Sequence, residues 1–382
     1  MIKSPSPFAK PMPGVPIRKG APVYKRPSSE EVEKYPEEAQ RLIDNNWFSQ
    51  KPFVQGGQYD LNWIEGKHFI LAGATGQGLG GAVATALLNL MDEKGSITVI
   101  SRDLSISVGY EMGKRMQKMA DERGMGSRFF HINDGMALEG PAFEKIMNAL
   151  KEAGAENVVY INTVASGSSG LMPGCPPVYV KDIDEEGLFQ WELAPLPEKN
   201  IETTKLFMGK MAVEFRSVLE KCGINVEATA YADWRGSLDR CSRQPESPFY
   251  GRQGPYSTSL FLPKDYLQED ASKAYRSGKI VLDIFFPVMR TRAIHFIPGG
   301  LAMSYVYDKL MRLSGIRKLD VPELGLGMLD CIGKALRGED ENPFPHLDRH
   351  ESPLELWFYE ILKRVNTDPA SEFYFKKWVE EE

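Results

Sequence analysis

Two hydrophobic rhythms alternate through the middle of this chain. Short, nearly continuous apolar runs read as buried strands: Phe69–Ala72, Ile97–Ile100, Phe129–Ile132, Val158–Ile161, Ile224–Tyr231 and Lys279–Ile284. Between them, apolar residues recur at helical spacing over Ala82–Leu88, Ser107–Arg123, Pro141–Ala153 and Ile201–Cys222. Two short alternating runs, Pro177–Val180 and Leu188–Trp191, flank an Asp-Glu-Glu-Gly turn and predict a β-hairpin inserted after the fourth strand. Further helices are expected over Leu301–Leu313, Pro322–Leu336 and near Pro353–Arg364. Strand and helix in alternation predict an α/β, Rossmann-like doubly wound parallel sheet, with the hairpin inserted, an N-terminal arm and a C-terminal helical extension. The expected division is 1–66 for the arm and its helix, 67–336 for the Rossmann-like domain and 337–382 for the extension.

The arm breaks the rhythm. Seven prolines between Pro5 and Pro27 exclude a regular helix there, and a capped helix is expected only from Ser29 to Ile43. The connector that follows carries Trp47, Phe53, Tyr59 and Trp63, which would anchor the arm to the body.

Composition narrows the picture by exclusion. The net charge of −6, with basic residues scattered, points away from nucleic acid. Cys175, Cys222, Cys241 and Cys331 form no CxxC pair, so reduced thiols in the cytoplasm are expected rather than a disulfide or zinc framework. His346 and His350 have helical ligand spacing but no third ligand, and are expected at the surface with no metal. No apolar run reaches membrane-spanning length.

The chemistry concentrates after the strands. Gly73-Ala74-Thr75-Gly76-Gln77-Gly78-Leu79-Gly80-Gly81 lies between the first strand and the first helix. That layout lets backbone approach a pyrophosphate at a helix N-terminus, with the glycines making the turn and the close packing. Ser101 and Arg102 follow the second strand. An arginine there can pair with the 2′-phosphate of NADP, where an acidic residue would take the ribose hydroxyls of NAD, so NADPH is expected in preference to NADH; Asp103 beside it complicates the reading. Asn133-Asp134 after the third strand would reach the adenine edge, and the turn containing Val164 and Ala165 after the fourth would pass beneath the ribose and nicotinamide. The segment Asp233–Pro263, rich in Arg, Pro, Gly and Tyr, exceeds an ordinary connection and is a candidate functional loop.

The order of these features resembles the V-type enoyl-ACP reductase and trans-2-enoyl-CoA reductase family, an enlarged branch of the short-chain dehydrogenase/reductase fold. The glycine turn, the hairpin leading to Ile201-Glu202-Thr203-Thr204, the tyrosine-rich region ending in Tyr256 and Lys264, and Thr291-Arg292-Ala293-Ile294-His295-Phe296-Ile297-Pro298 carry the resemblance over roughly residues 67–335. It implies hydride delivery from a nicotinamide to an enoyl thioester. Tyr256 would be the donor, Lys264 would stabilise its phenolate and hold the cofactor ribose, Tyr231 would assist, and Thr291 would meet the nicotinamide amide. The family separates its tyrosine and lysine by eight residues, whereas seven lie between Tyr256 and Lys264, and Tyr250 is a nearby competitor.

Two further departures stand out. Arg102 occupies a commonly acidic, NADH-associated position, and the family's His-Glu-Gly-Cys stretch is missing, with Arg317-Lys318-Leu319-Asp320 near its place. The resemblance therefore leaves three outcomes open: an NADPH-dependent reductase of an α,β-unsaturated carbonyl (enoyl thioester or enone), a ketoreductase, or a nucleotide-binding regulatory protein whose catalysis has decayed. The expected partner is a small-molecule or thioester-linked substrate, and a homo-oligomer is compatible with the sequence, which leaves the oligomeric state open.

Overall fold

Six parallel strands form the centre of the molecule, in the order β3-β2-β1-β4-β7-β8. They are β1 (His68–Ala72), β2 (Ser96–Ile100), β3 (Phe129–Ile132), β4 (Asn157–Asn162), β7 (Asn225–Asp233) and β8 (Val281–Phe285). A separate antiparallel hairpin pairs β5 (Val178–Ile183) with β6 (Phe189–Ala194). This computed structural model describes residues 59–74, 78–101, 106–164, 178–183, 189–194, 205–233, 264–287, 289 and 319–347.

The strands read as unbroken apolar runs because helices cover both faces of the sheet. On one face Phe69, Leu71, Val99 and Ile161 pack against α1 (Leu79–Leu90), α2 (Ile106–Glu122) and α6 (Val321–Leu336). On the other, Ile70, Tyr160 and Tyr231 pack against α3 (Gly140–Ala153), α4 (Met211–Lys221) and α5 (Lys264–Arg276). Adjacent residues of β1, Phe69 and Ile70, thus serve opposite cores, as the two-residue strand period requires. Of the connector aromatics, Tyr59 and Trp63 pack against the first core, with the Trp63 ring 5.7 Å from that of Phe69.

Three elements differ from the expectation. The helix expected over Ile201–Cys222 is a π-helical turn, Lys205–Lys210, leading into α4, with 201–204 outside the described residues. Helix α5 has no counterpart in the periodicity, because its buried stripe is thin: Leu267, Ala271 and Ala274 alternate with charged residues. Helix α6 begins one residue earlier than Pro322, where Asp320 accepts from the Glu323 N–H and Glu323 returns a bond to the Asp320 N–H.

The segment after α6 continues the sheet. Asp283 N–H and Phe285 N–H donate to the carbonyls of Pro343 and Pro345, and Leu347 N–H donates to Phe285 O. Phe285 and His346 form a parallel bridge, so residues 343–347 run along the outer edge of β8. The helices expected over Leu301–Leu313 and Pro353–Arg364 lie outside the described residues.

Candidate functional site

The sheet order reverses between β1 and β4: the chain runs outward from β1 through β2 to β3, then returns to the far side of β1 as β4. In open α/β sheets the crevice beyond the carboxyl ends of the strands at such a switch point is where ligands bind. Here the turns after β1 and β4 pack directly on one another. Thr163 N–H and Oγ1–H both donate to Ala72 O, at 2.9 and 3.0 Å, and Gly73 N–H donates to Ile100 O at 2.9 Å. Gly73 has φ +90°, and a Cβ on it would lie 2.7 Å from both Thr163 C and Val164 N. Only glycine satisfies both conditions.

The same threonine sets Gly80. A Cβ there would overlap Thr163 Oγ1 and come within 2.9 Å of Ala74 Cα, so the first turn of α1 lies directly on the ends of β1 and β4. Val164 is fixed by its N–H bond to Asn162 Oδ1 at 2.9 Å. Helix α1 begins after Gly78, an extended residue that brings no side-chain cap to the first N–H groups. Leu79, its first residue, is buried in the core.

Beyond β2 and β3, Ser101 and Asn133 come together. The buried Ser101 Oγ–H donates to Asn133 Oδ1 at 2.6 Å, and Ser101 Oγ lies 2.8 Å from His131 Nε2. With the serine proton directed to Asn133, the imidazole donates from Nε2. Burial pushes the His131 pKa down to about 4, so the ring is neutral near pH 7. A Cβ on Gly113 of α2 would overlap His131 Nδ1, so the glycine makes room for the ring. Asp134 points elsewhere, into an exposed ion pair with Lys145 at 2.6 Å.

At the end of β7 the structure separates two candidates. Tyr231 is fully buried, and its hydroxyl donates to Asp270 Oδ2 at 2.7 Å. Arg216 of α4 holds the other oxygen of that carboxylate. Burial, followed by the Asp270 charge, drives the Tyr231 pKa well above the usual phenol value. Lys264, the first residue of α5, is also buried, but its Nζ donates to Ala232 O at 2.7 Å and pairs with Asp233 Oδ1 at 3.5 Å. His131, Asp233 and Asp270 were not singled out as site residues from sequence. For Asp270 a signal existed, since an acid three residues after Leu267 falls beside the buried stripe of α5.

The remaining candidates, Thr75, Gly76, Gln77, Arg102, Ala165, Tyr256 and Thr291, lie outside the described residues. No family model matches the chain, and no curated protein matches it in sequence. Solved structures do resemble it. The trans-2-enoyl-CoA reductase of Clostridium acetobutulicum in complex with NADH superposes with a TM-score of 0.56 at 14% identity, over 92% of this chain and 89% of that one. The chain shares the α/β, Rossmann-like fold of that structure. The Treponema denticola trans-2-enoyl-CoA reductase in complex with NAD gives 0.53 at 15% identity, covering 96% and 90%. The FabI–NADH complex from Alistipes finegoldii gives 0.51 at 11%, covering 75% and 88%. With this fold, a six-stranded parallel sheet presents the β1–β4 crevice together with Ser101, Asn133 and Lys264 at the carboxyl ends of its strands. Among the described residues, no helix is long and apolar enough to cross a membrane.

Proposed function

We propose that this protein is an NADPH-dependent reductase acting on an α,β-unsaturated carbonyl. The observation that carries the reading is the junction of Gly73 and Gly80 with Thr163, which packs the turn after β1 and the first turn of α1 directly on the end of β4 at the switch point of the sheet. The residues present fit a dinucleotide there: a helix N-terminus without a side-chain cap for the pyrophosphate, and a serine–asparagine pair beyond β2 and β3 for the adenosine half. Thr75, Gly76, Gln77, Gly78 and Leu79 would supply backbone to the phosphates, Arg102 the charge that favours a 2′-phosphate, and Val164, Ala165 and Thr291 the contacts to the nicotinamide half.

When bound, NADPH supplies the hydride. The chain then has to stabilise negative charge on the substrate carbonyl oxygen, and Tyr256 is the proposed donor, with the Lys264 ammonium as its electrostatic partner. Tyr231, with its hydroxyl on Asp270, supports the end of β7 in this reading. The solved enoyl reductases of this fold, described in complex with NADH or NAD, favour reduction at C=C over C=O as the reading to test first. The test is a fluorescence titration of the purified protein with NADPH and NADH, followed by turnover on enoyl thioesters, enones and ketones. Binding of neither nucleotide removes the proposal, and reduction of ketones alone would move the activity to C=O.

A further inference from the structure

We infer that Asp233 is a positioning residue for the nicotinamide half of the dinucleotide, acting through the Lys264 ammonium. The inference rests on the nucleotide reading above and adds to it a residue that the sequence did not single out.

Its geometry is set by the strands. Asn162, the last residue of β4, is in register with Tyr231, so β7 runs two residues farther toward the ligand end of the sheet. Asp233 is the last of them, held there by the bond from Phe286 N–H to its carbonyl at 2.8 Å. The 163–164 turn follows β4, with Val164 packed against the core that also holds α5, and α5 starts with Lys264 beside Asp233 at this rim. The side chains of Lys264 and Asp233 are only 6% and 0% exposed, so their 3.5 Å pairing is an interior one.

An interior ion pair is a poor device for stability alone, because taking two charges out of water offsets most of their attraction. It is a good device for fixing where a charge sits. A lysine ammonium has three N–H donors on a flexible stem. The Ala232 carbonyl takes one at 2.7 Å, and the Asp233 carboxylate, at ion-pair rather than hydrogen-bond distance, draws the ammonium to the rim without consuming a second. Among the described residues these are the partners of Lys264. Two donors are left for a pair of neighbouring hydroxyls, the chemistry of a ribose diol. Removing the Asp233 charge would leave the ammonium buried with a carbonyl only, and the cheapest relief is for the stem to swing toward water and away from the rim.

The experiment compares two probes on the full-length protein: NADPH, which carries the nicotinamide ribose, and ADP, which lacks it. Asp233→Asn is expected to weaken NADPH about tenfold or more, the value of a charged hydrogen bond, and to leave ADP binding unchanged. The double substitution Asp233→Asn/Lys264→Met removes both charges of this pair together, so it guards against misfolding of the single variant. It is expected to bind NADPH no more weakly than Lys264→Met alone, since Asp233 acts through that lysine. Equal NADPH affinity in wild type and Asp233→Asn overturns the inference while leaving the nucleotide reading intact. Equal weakening of NADPH and ADP also overturns it, as a general structural effect. A wild-type protein that binds neither NADPH nor NADH overturns the nucleotide reading first and this inference with it.

Discussion

Gly73 and Thr163 approach so closely that a single added carbon on the glycine would sit 2.7 Å from the threonine carbonyl carbon. The glycine also has φ +90°, in a region that side-chain-bearing residues rarely adopt. Gly73→Ala is therefore expected to cost at least about 1–3 kcal/mol from overpacking, with backbone strain of about 1–3 kcal/mol in addition. Chemical denaturation measures the loss, and nucleotide titration at a temperature where the variant is folded is expected to show weakened binding. An unchanged midpoint would mean that the β1–β4 junction yields easily.

Tyr231 and Asp270 set a second expectation. Tyr231→Phe removes a buried donor and leaves Asp270 Oδ2 without its 2.7 Å bond. The expected cost is about 1–3 kcal/mol, the penalty of an unsatisfied buried acceptor. Turnover per folded molecule should be retained; its abolition would place the Tyr231 hydroxyl at the reacting carbonyl instead.

Arg216 is the other partner of that carboxylate, and both side chains are 9% exposed. Arg216→Met strands the Asp270 charge and is expected to destabilise by about 3–5 kcal/mol. Pairing it with Asp270→Leu should recover most of the loss, which urea titration of the single and double variants would read.

His131 gives the molecule a pH dependence. Its folded pKa of about 4 lies below the ordinary 6.5, so the unfolded chain binds the extra proton between those values. This histidine then contributes no penalty above pH 6.5, and a penalty that grows as the pH falls through 6.5 toward 4, reaching on the order of 3 kcal/mol. In His131→Gln the acid slope of the unfolding free energy should flatten over that window. Persistence of the full slope would assign it to carboxylates.

Arg102 tests the cofactor preference. Arg102→Glu is expected to weaken NADPH about tenfold to a hundredfold through loss of a charged hydrogen bond, with NADH much less affected. Equal effects on the two nucleotides would remove the 2′-phosphate role.

Much of the fold was legible because both faces of the sheet are covered. A strand such as Ser96–Ile100, buried at every position, announces itself as an apolar run whatever its neighbours do. Helix α5 was not legible, since only a thin stripe of it meets the core and the rest is charged. The glycine turn could be located from its flanks, yet nothing in the sequence says that Thr163, ninety residues later, is what the glycines make room for. The role of His131 was hidden for the same reason. A histidine in a strand looks alike whether it faces water or, as here, shares a serine hydroxyl with an asparagine.

The run of Pro343 to Leu347 along β8 has a bearing on solubility. Without it, the N–H groups of Asp283 and Phe285 and the Phe285 carbonyl would face outward from an apolar strand, an open template for a strand of another molecule. A chain cut after Arg337 would keep the eight strands and six helices of the described residues, and would still be expected to stick to its own copies.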